Sequence, residues 1–482
     1  NTKLYNYFLM KSKIKLFSVK DAFNLQSNDV RKLYKEYSNI KLPDIYYKFS
    51  FGKKIFTKAK GPFLYDKNNN KYFDFTGGLG VANFGHNHPK IIETRIKFQK
   101  NNYTEIHKNY LNRFLAAASY NLSKILTSEL KYVYFCNSGA EAIDGALKIS
   151  YKFFNGVKKI VLCSDRSFHG KTIGAGSISS GDNFISSNNR FSFQKIPGVV
   201  RYKFNDIKSL KKIIGKNKDN IYAIFIEPYS CSTLTESSKE FLEEAKKLCL
   251  KNKILMVFDE IYSGFGKCGY DFYFKKYGIQ PDIITLSKSL GGGKSSISSY
   301  VTTKNVFAKS YGTLSGSLMH STTYNSLAEE CATVIETTNL MNNKKLIKNI
   351  SDLQEILGSK LNNMKNKYPD IISDIRGSGC HYGIIFKKKF FFIKKIIKLI
   401  PINFIQDPLF LDKLIATSIM EEYFSKNNSL MAFTSNMDVI LNFSPPINCD
   451  KKLLEDKLNE FEEIIKNGVE KIILKFIKKN LI

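Results

Sequence analysis

Between residues 108 and 345 the chain alternates two hydrophobic periodicities. Compact apolar runs recur at 132–136 (YVYFC), 158–163 (KKIVLC), 221–226 (IYAIFI), 254–258 (ILMVF) and 282–286 (DIITL). Between them lie stretches with apolar residues at helical spacing, such as Ala142, Ile143, Ala146 and Leu147. Strands alternating with helices predict an α/β domain on a mainly parallel sheet. Downstream, amphipathic helices are predicted near 346–364 and 451–478, the second with Leu454, Leu458, Phe461 and Ile465 in register. Strand-like pieces lie between them. Together with the short strands and turns of 46–107, residues 346–482 are predicted to form a smaller α+β domain. Residues 1–45 read as an N-terminal extension, and the Lys/Phe/Ile-rich tract 387–405 as an insertion, in its plainest form a solvated loop.

Composition narrows the class. A chain of 482 residues that is 43% hydrophobic has a large core and is neither a disordered tail nor a small disulfide scaffold. The net charge of +31 raises nucleic acid as a partner, but it comes from 67 scattered Lys and only 7 Arg. Grooves that read phosphates and base edges favour the planar fork of Arg, so a solvated basic surface is expected and no nucleic-acid site. The eight cysteines show no metal-ligand or redox spacing, so free thiols, no metal and a reducing, cytoplasmic setting are expected. Phe390 to Ile405 is interrupted by Lys394, Lys395 and Lys398, too soon for a membrane span. Five Lys and no acid in the first twenty residues leave organelle targeting open.

Chemistry gathers where the apolar runs end. The first gives way to Asn137-Ser138-Gly139-Ala140-Glu141 and a helix start, a place for a phosphate. Others lead into Ser167-Phe168-His169-Gly170, Glu227-Pro228, Asp259-Glu260 and Ser287-Lys288. Singly, each has a plainer reading: the turn as a helix cap, Phe168 and His169 as packing, Lys288 as one of 67 lysines. Jointly they would meet in the crevice outside the carboxyl ends of a parallel sheet. Pyridoxal 5′-phosphate asks for that combination. Its aldehyde condenses with a Lys amine, its phosphate suits the helix start, its ring stacks on an aromatic, and its ring nitrogen stays protonated against an anion.

NSGAEAIDGALK (137–148), FHGKTIGAGSIS (168–179), DEIYSGFGKCG (259–269) and PDIITLSKSLGGG (281–293) resemble successive blocks of the class III aminotransferases, the ornithine/acetylornithine/putrescine/ω-amino acid group. GLGVANFGHNHP (78–89) and NFSPPI (442–447) match outer blocks, so the resemblance spans about residues 50 to 470. It implies the fold-type I architecture, with 108–345 as the large cofactor-binding domain. It also implies Lys288 as Schiff-base lysine and general base, Asp259 at the ring nitrogen, and Glu227 in support. Phe168 and Ile261 would face the ring, with His169 beside them, and Gly139, Ala140 and Ser138 would hold the phosphate. A Thr from the partner of a homodimer is expected there too, Thr323 being the best match and Thr322 the alternative. The implied reaction transfers a primary, terminal amine, such as that of an ω-amino acid or diamine, to a 2-oxo acid, typically 2-oxoglutarate.

Several positions depart from that pattern. Tyr229-Ser230-Cys231-Ser232 replaces a Gln-Gly loop, Tyr262 stands in the place of a Gln, and the stretch before Asn325 lacks a paired Gly. Asn442 occupies the place of an Arg that clamps a substrate carboxylate, and an amide supplies no charged bidentate pair. Either the donor lacks that carboxylate, or Arg376 or a nearby Lys substitutes, although Arg376 reads first as a brace of the small domain. A PLP lyase, decarboxylase or aminomutase remains the alternative within enzymes. A non-catalytic basic binding protein is the alternative outside them, and the retention of Asp259 and Lys288 argues against it.

Overall fold

The central sheet is assembled from β1 (Leu130–Cys136), β2 (Ile160–Ser164), β3 (Val199–Tyr202), β4 (Ile221–Ile226), β5 (Leu255–Asp259), β6 (Ile283–Leu286) and β7 (Ser298–Thr303). This computed structural model describes residues 16–105, 110–180, 195–388 and 408–480. The spatial order is β1-β7-β6-β5-β4-β2-β3. Pairing is parallel from β6 through β5, β4 and β2 to β3. β7 alone runs against the others, inserted between β6 and β1. The carboxyl ends of β1, β2, β4, β5 and β6 therefore share one edge of the sheet.

Both faces of the sheet are covered. Every residue of β4, β5 and β6 is buried, the pattern of parallel strands between helical layers. Helix Gly139–Phe153 joins Ala142, Ile143, Ala146 and Ile149 to Val161, Phe225, Val257 and Ile283 in one cluster. β7 carries no apolar run: its sequence is SSYVTT, yet five of its six residues are buried. Ser298 Oγ donates to the Ser138 carbonyl at 2.6 Å, so a polar strand sits at the core because its hydroxyl finds main-chain acceptors.

A second, antiparallel sheet has β8 (Ile372–Ser378), β9 (His381–Phe386), β10 (Ala432–Ser435) and β11 (Val439–Phe443) in the order β8-β9-β11-β10. Helices Lys344–Lys367, Phe410–Asn427 and Lys451–Lys466 accompany it. The single helix predicted over 451–478 is two, Lys451–Lys466 and Val469–Asn480. Gly468 breaks it with φ +96°, a conformation that ends helices and that Gly adopts without steric cost.

By contact the chain divides into residues 1–58 with 64–71, and residues 59–63 with 72–482; both sheets belong to the second unit. Among the described residues of the first unit are helices Val19–Asn24, Ser27–Tyr37 and Leu42–Tyr46, where Asp44 accepts from Arg31 and Lys35 at 2.7 Å each. The insertion expected at 387–405 lies, from 389 onward, outside the described residues, as do residues 1–15 of the basic N-terminus.

Candidate active site

A cavity of about 200 Å³ opens at the shared carboxyl edge of the sheet. Gly139, Ala140, Phe168, His169, Glu227, Asp259, Ile261 and Lys288 line it, eight of the ten residues expected to touch the cofactor. Ser138 lies just behind, as N-cap of the 15-residue helix that starts at Gly139. Its hydroxyl accepts from the Glu141 N–H at 3.3 Å, while Glu141 Oε2 takes the N–H groups of Asn137 and Ser138 at 2.7 and 2.9 Å. The N–H groups of Gly139 and Ala140 meet no acceptor among the described residues. A Cβ at Gly139 would lie 3.1 Å from Ile261 Cδ1, so the turn packs tightly against the Ile261 side chain. The arrangement is an anion cradle at the positive end of a helix.

Opposite the cradle, three ionisable groups are locked together. Asp259 Oδ2 lies 2.7 Å from His169 Nδ1, and Asp259 Oδ1 accepts from the Ile261 N–H at 3.0 Å and the Thr285 hydroxyl at 3.3 Å. Burial disfavours the His169 cation, but its bond to Asp259 and the charges of Asp259 and Glu227 outweigh that and raise its pKa. Glu227 Oε2 accepts from the Phe168 N–H at 2.9 Å and the Ser230 hydroxyl at 3.2 Å, which fixes the backbone of the aromatic residue. Burial pushes Glu227 up to about 7, against the His169 cation and with the Asp259 charge.

That shift predicts a pH signature. A carboxyl group raised from 4.5 stabilises the fold below the lower value, and the contribution is lost as pH rises through about 7. The apoprotein is expected to lose on the order of 3 kcal/mol over that window from this group. In Glu227→Gln the loss should vanish, as read from unfolding midpoints at pH 5 and pH 8. An unchanged pH profile in the variant would contradict the assignment.

Lys288 opens a short turn, Lys288–Gly291, directly after β6 and has φ +45°, a left-handed conformation uncommon outside Gly. Its Nζ lies 4.7 Å from the centroid of the Tyr262 ring. Gly80 closes the far side: a Cβ there would come within 2.7 Å of Tyr262 Cε2 and 3.3 Å of Lys288 Cδ, at φ +90°. The reactive-lysine candidate is thus confined by an aromatic plate and a glycine backbone.

Thr323 does not reach the cavity of its own chain; it is exposed, whereas Thr322 Oγ1 is buried without a partner among the described residues. Arg376 is committed elsewhere, to Asp374 Oδ2 at 3.1 Å and Asp438 Oδ2 at 2.8 Å, as a brace would be. Asn442, near the end of β11, is buried, and its Oδ1 has no partner among the described residues. Sequence reasoning did not place Ser287 in the lining or His381 behind it, and it marked Tyr229, Cys231 and Tyr262 only as departures from the family pattern. His381 Nδ1 lies 3.2 Å from the Tyr229 hydroxyl, and its ring stands 4.6 Å from that of Tyr262. Burial lowers its pKa well below the ordinary value, so this ring is neutral. Burial also pushes the Cys231 thiol up to about 12, which leaves it un-ionised.

The donor set fits pyridoxal 5′-phosphate. An amine, an anion held by three donors, an aromatic side chain and two free N–H groups at a helix start line one cavity. Among the described residues no His/Cys/Asp/Glu group could hold a metal ion, and no helix is long and apolar enough to cross a membrane.

Comparison with known proteins agrees with the geometry. The family described as aminotransferase class-III matches residues 50–400. Acetylornithine aminotransferase of Clostridium acetobutylicum is 31% identical over 418 residues, 85% of this chain and 96% of that protein. Putrescine aminotransferase of Pectobacterium atrosepticum is 28% identical over 85% of this chain and 82% of its own length. The crystal structure of ornithine aminotransferase from Toxoplasma gondii shares the fold with a TM-score of 0.76 at 21% identity, covering 95% of this chain and 100% of that one.

Proposed function

This chain belongs to the class III aminotransferases, pyridoxal 5′-phosphate enzymes of fold-type I, and on that footing we propose that it transfers a primary, terminal amine to a 2-oxo acid. The observation that carries the choice of donor is the charge on the cavity wall. Among its lining residues Lys288 is the sole Lys or Arg. Arg376 is tied to two aspartates, and a neutral amide fills position 442. A donor carboxylate would find no guanidinium from this chain, whereas a diamine, the type of substrate named for the putrescine relative, needs none. 2-Oxoglutarate is the proposed acceptor, and as a dicarboxylate it needs a cation from outside this lining, for which the partner subunit of the homodimer proposed below is the source.

When bound, the cofactor supplies an aldehyde for the donor's amine and a sink for the charge left when the neighbouring carbon loses its proton. Lys288 Nζ would hold it covalently, and the same Nζ, as a free amine, would be the base that takes the proton from the donor's amine-bearing carbon. Asp259, fixed by His169, Ile261 and Thr285, would serve as the anion for the ring nitrogen. Phe168 and Ile261 would cover the ring, Glu227 steadies Phe168, and Gly139, Ala140 and the Ser138 turn would receive the phosphate.

The proposal includes a homodimer with shared sites. Leu314 and Leu318 are 95% and 81% exposed, and Met319 and Tyr324 are about half exposed, all on the loop that carries Thr323. Such an apolar surface calls for a cover. Of the two candidates, Thr323 is the one free to serve a partner's phosphate. Thr323→Ala is expected to weaken cofactor binding about tenfold, the worth of one hydrogen bond to an anion. Thr322→Ala should change it little, and equal effects in equilibrium titrations would contradict the choice.

The function is tested by half-reactions. Holoenzyme is mixed with diamines, ω-amino acids and α-amino acids, and conversion of the bound cofactor to its amine form is followed by absorbance. Diamines are expected to react fastest, and an added 2-oxo acid should reverse the change with formation of a new amino acid. Reaction only with α-amino acids that lack a distal amine would overturn the reading.

A further inference from the structure

Lys267 is fully buried, yet no carboxylate among the described residues lies within hydrogen-bond reach of its Nζ. Instead Nζ donates to the main-chain carbonyls of Ser444 at 3.1 Å and Pro445 at 2.9 Å. A buried ammonium satisfied by carbonyls alone is costly, and burial lowers its pKa to about 8. An apolar residue would fill the space at less expense, so the two bonds are the reason to ask what the turn at 444–445 holds.

That turn holds Tyr262. Ser444 Oγ lies 3.2 Å from the Tyr262 hydroxyl, and Tyr262 presents its ring to Lys288 Nζ at 4.7 Å. The Ser444 N–H also donates to the Phe75 carbonyl at 2.8 Å, and the Lys267 carbonyl accepts from the Cys380 N–H at 2.8 Å, next to His381. Lys267 thus joins the 444–445 turn to the hairpin whose His381 ring bounds Tyr262 on its other side.

We propose that Lys267 is a positioning residue for the reactive amine: through Ser444 it fixes the Tyr262 ring against which Lys288 rests. The proposal rests on Lys288 being the cofactor-bearing lysine. Without the two Lys267 bonds, two main-chain carbonyls of the turn behind Tyr262 lose their donor, the turn relaxes, and the hydroxyl of Tyr262 loses its anchor.

A double-mutant cycle between Lys267→Met and Tyr262→Phe tests it. Lys267→Met is expected to lower kcat about tenfold with KM changed less than about threefold, and Lys267→Arg to stay within about threefold of wild type, as one charge-assisted contact is worth. In the Tyr262→Phe background the methionine should cost less than about a further twofold, since its route of action is already cut. A second readout uses apoprotein: the rate of cofactor attachment to Lys288, fixed with borohydride, should fall in both single variants alike. An undiminished penalty in the Tyr262→Phe background, or normal kcat and attachment in Lys267→Met, would overturn the proposal. Should the methionine variant not fold, Ser444→Ala replaces it; it is expected to match Tyr262→Phe and add nothing to it, and a normal Ser444→Ala enzyme would be equally fatal. Failure of the underlying reading looks different, since label would then miss Lys288 in wild type as well.

Discussion

Lys288→Ala is expected to bind the cofactor without a covalent bond and to lose at least about 10³-fold in the single-turnover rate, because one Nζ serves as both attachment point and proton carrier. The fold should survive. No carboxylate among the described residues pairs with Nζ, so removal strands no buried charge. Alanine also keeps a Cβ at φ +45°, so the substitution relieves none of the local strain. The loss of the contact with Tyr262 is worth about 1 kcal/mol of stability. Near-normal turnover would remove Lys288 from the mechanism.

Asp259→Asn is expected to lower the half-reaction rate by about 10²–10³-fold, the usual scale for removing one preorganised charge from an active site. Asparagine is the informative choice. Alanine would strand His169 Nδ1, the Ile261 N–H and the Thr285 hydroxyl together, mixing a folding defect with a chemical one. The amide still accepts hydrogen bonds but no longer offsets the burial of His169. The pKa of His169 should therefore drop from above its ordinary value to below it, as an NMR titration of the apoprotein would read. A His169 pKa that stays raised in the variant would show that Glu227, not Asp259, holds its proton.

Strand ends were the most legible part of this chain. Val257, Phe258, Ile283 and Ile284 are apolar because both faces of a parallel strand are covered, so the polar residue that follows each run stands out. Asp259 and Lys288 were found that way. β7 stayed hidden for the converse reason: Ser298, Ser299 and Thr302 are buried polar residues, so the strand leaves no hydropathy pattern, and the Ser298 and Ser299 hydroxyls are satisfied by main-chain carbonyls. The helix predicted over 451–478 ran through Gly468 because its apolar spacing continues beyond the break. His381 belongs to an element distant in sequence from the cavity, and Lys267, although only five residues beyond Tyr262, sits in a run where nothing local marks an ammonium held by two carbonyls. The exposure that separates Thr323 from Thr322 is likewise a property of the folded loop.

The placement of Lys288 and Asp259 around one cofactor is the claim on which the rest stands. Holoenzyme reduced with borohydride, digested and mapped by mass spectrometry addresses it most directly. The account predicts one modified peptide, carrying the reduced cofactor on Lys288, in wild type and in Asp259→Asn. Label on any other lysine, or no label at all, would contradict it.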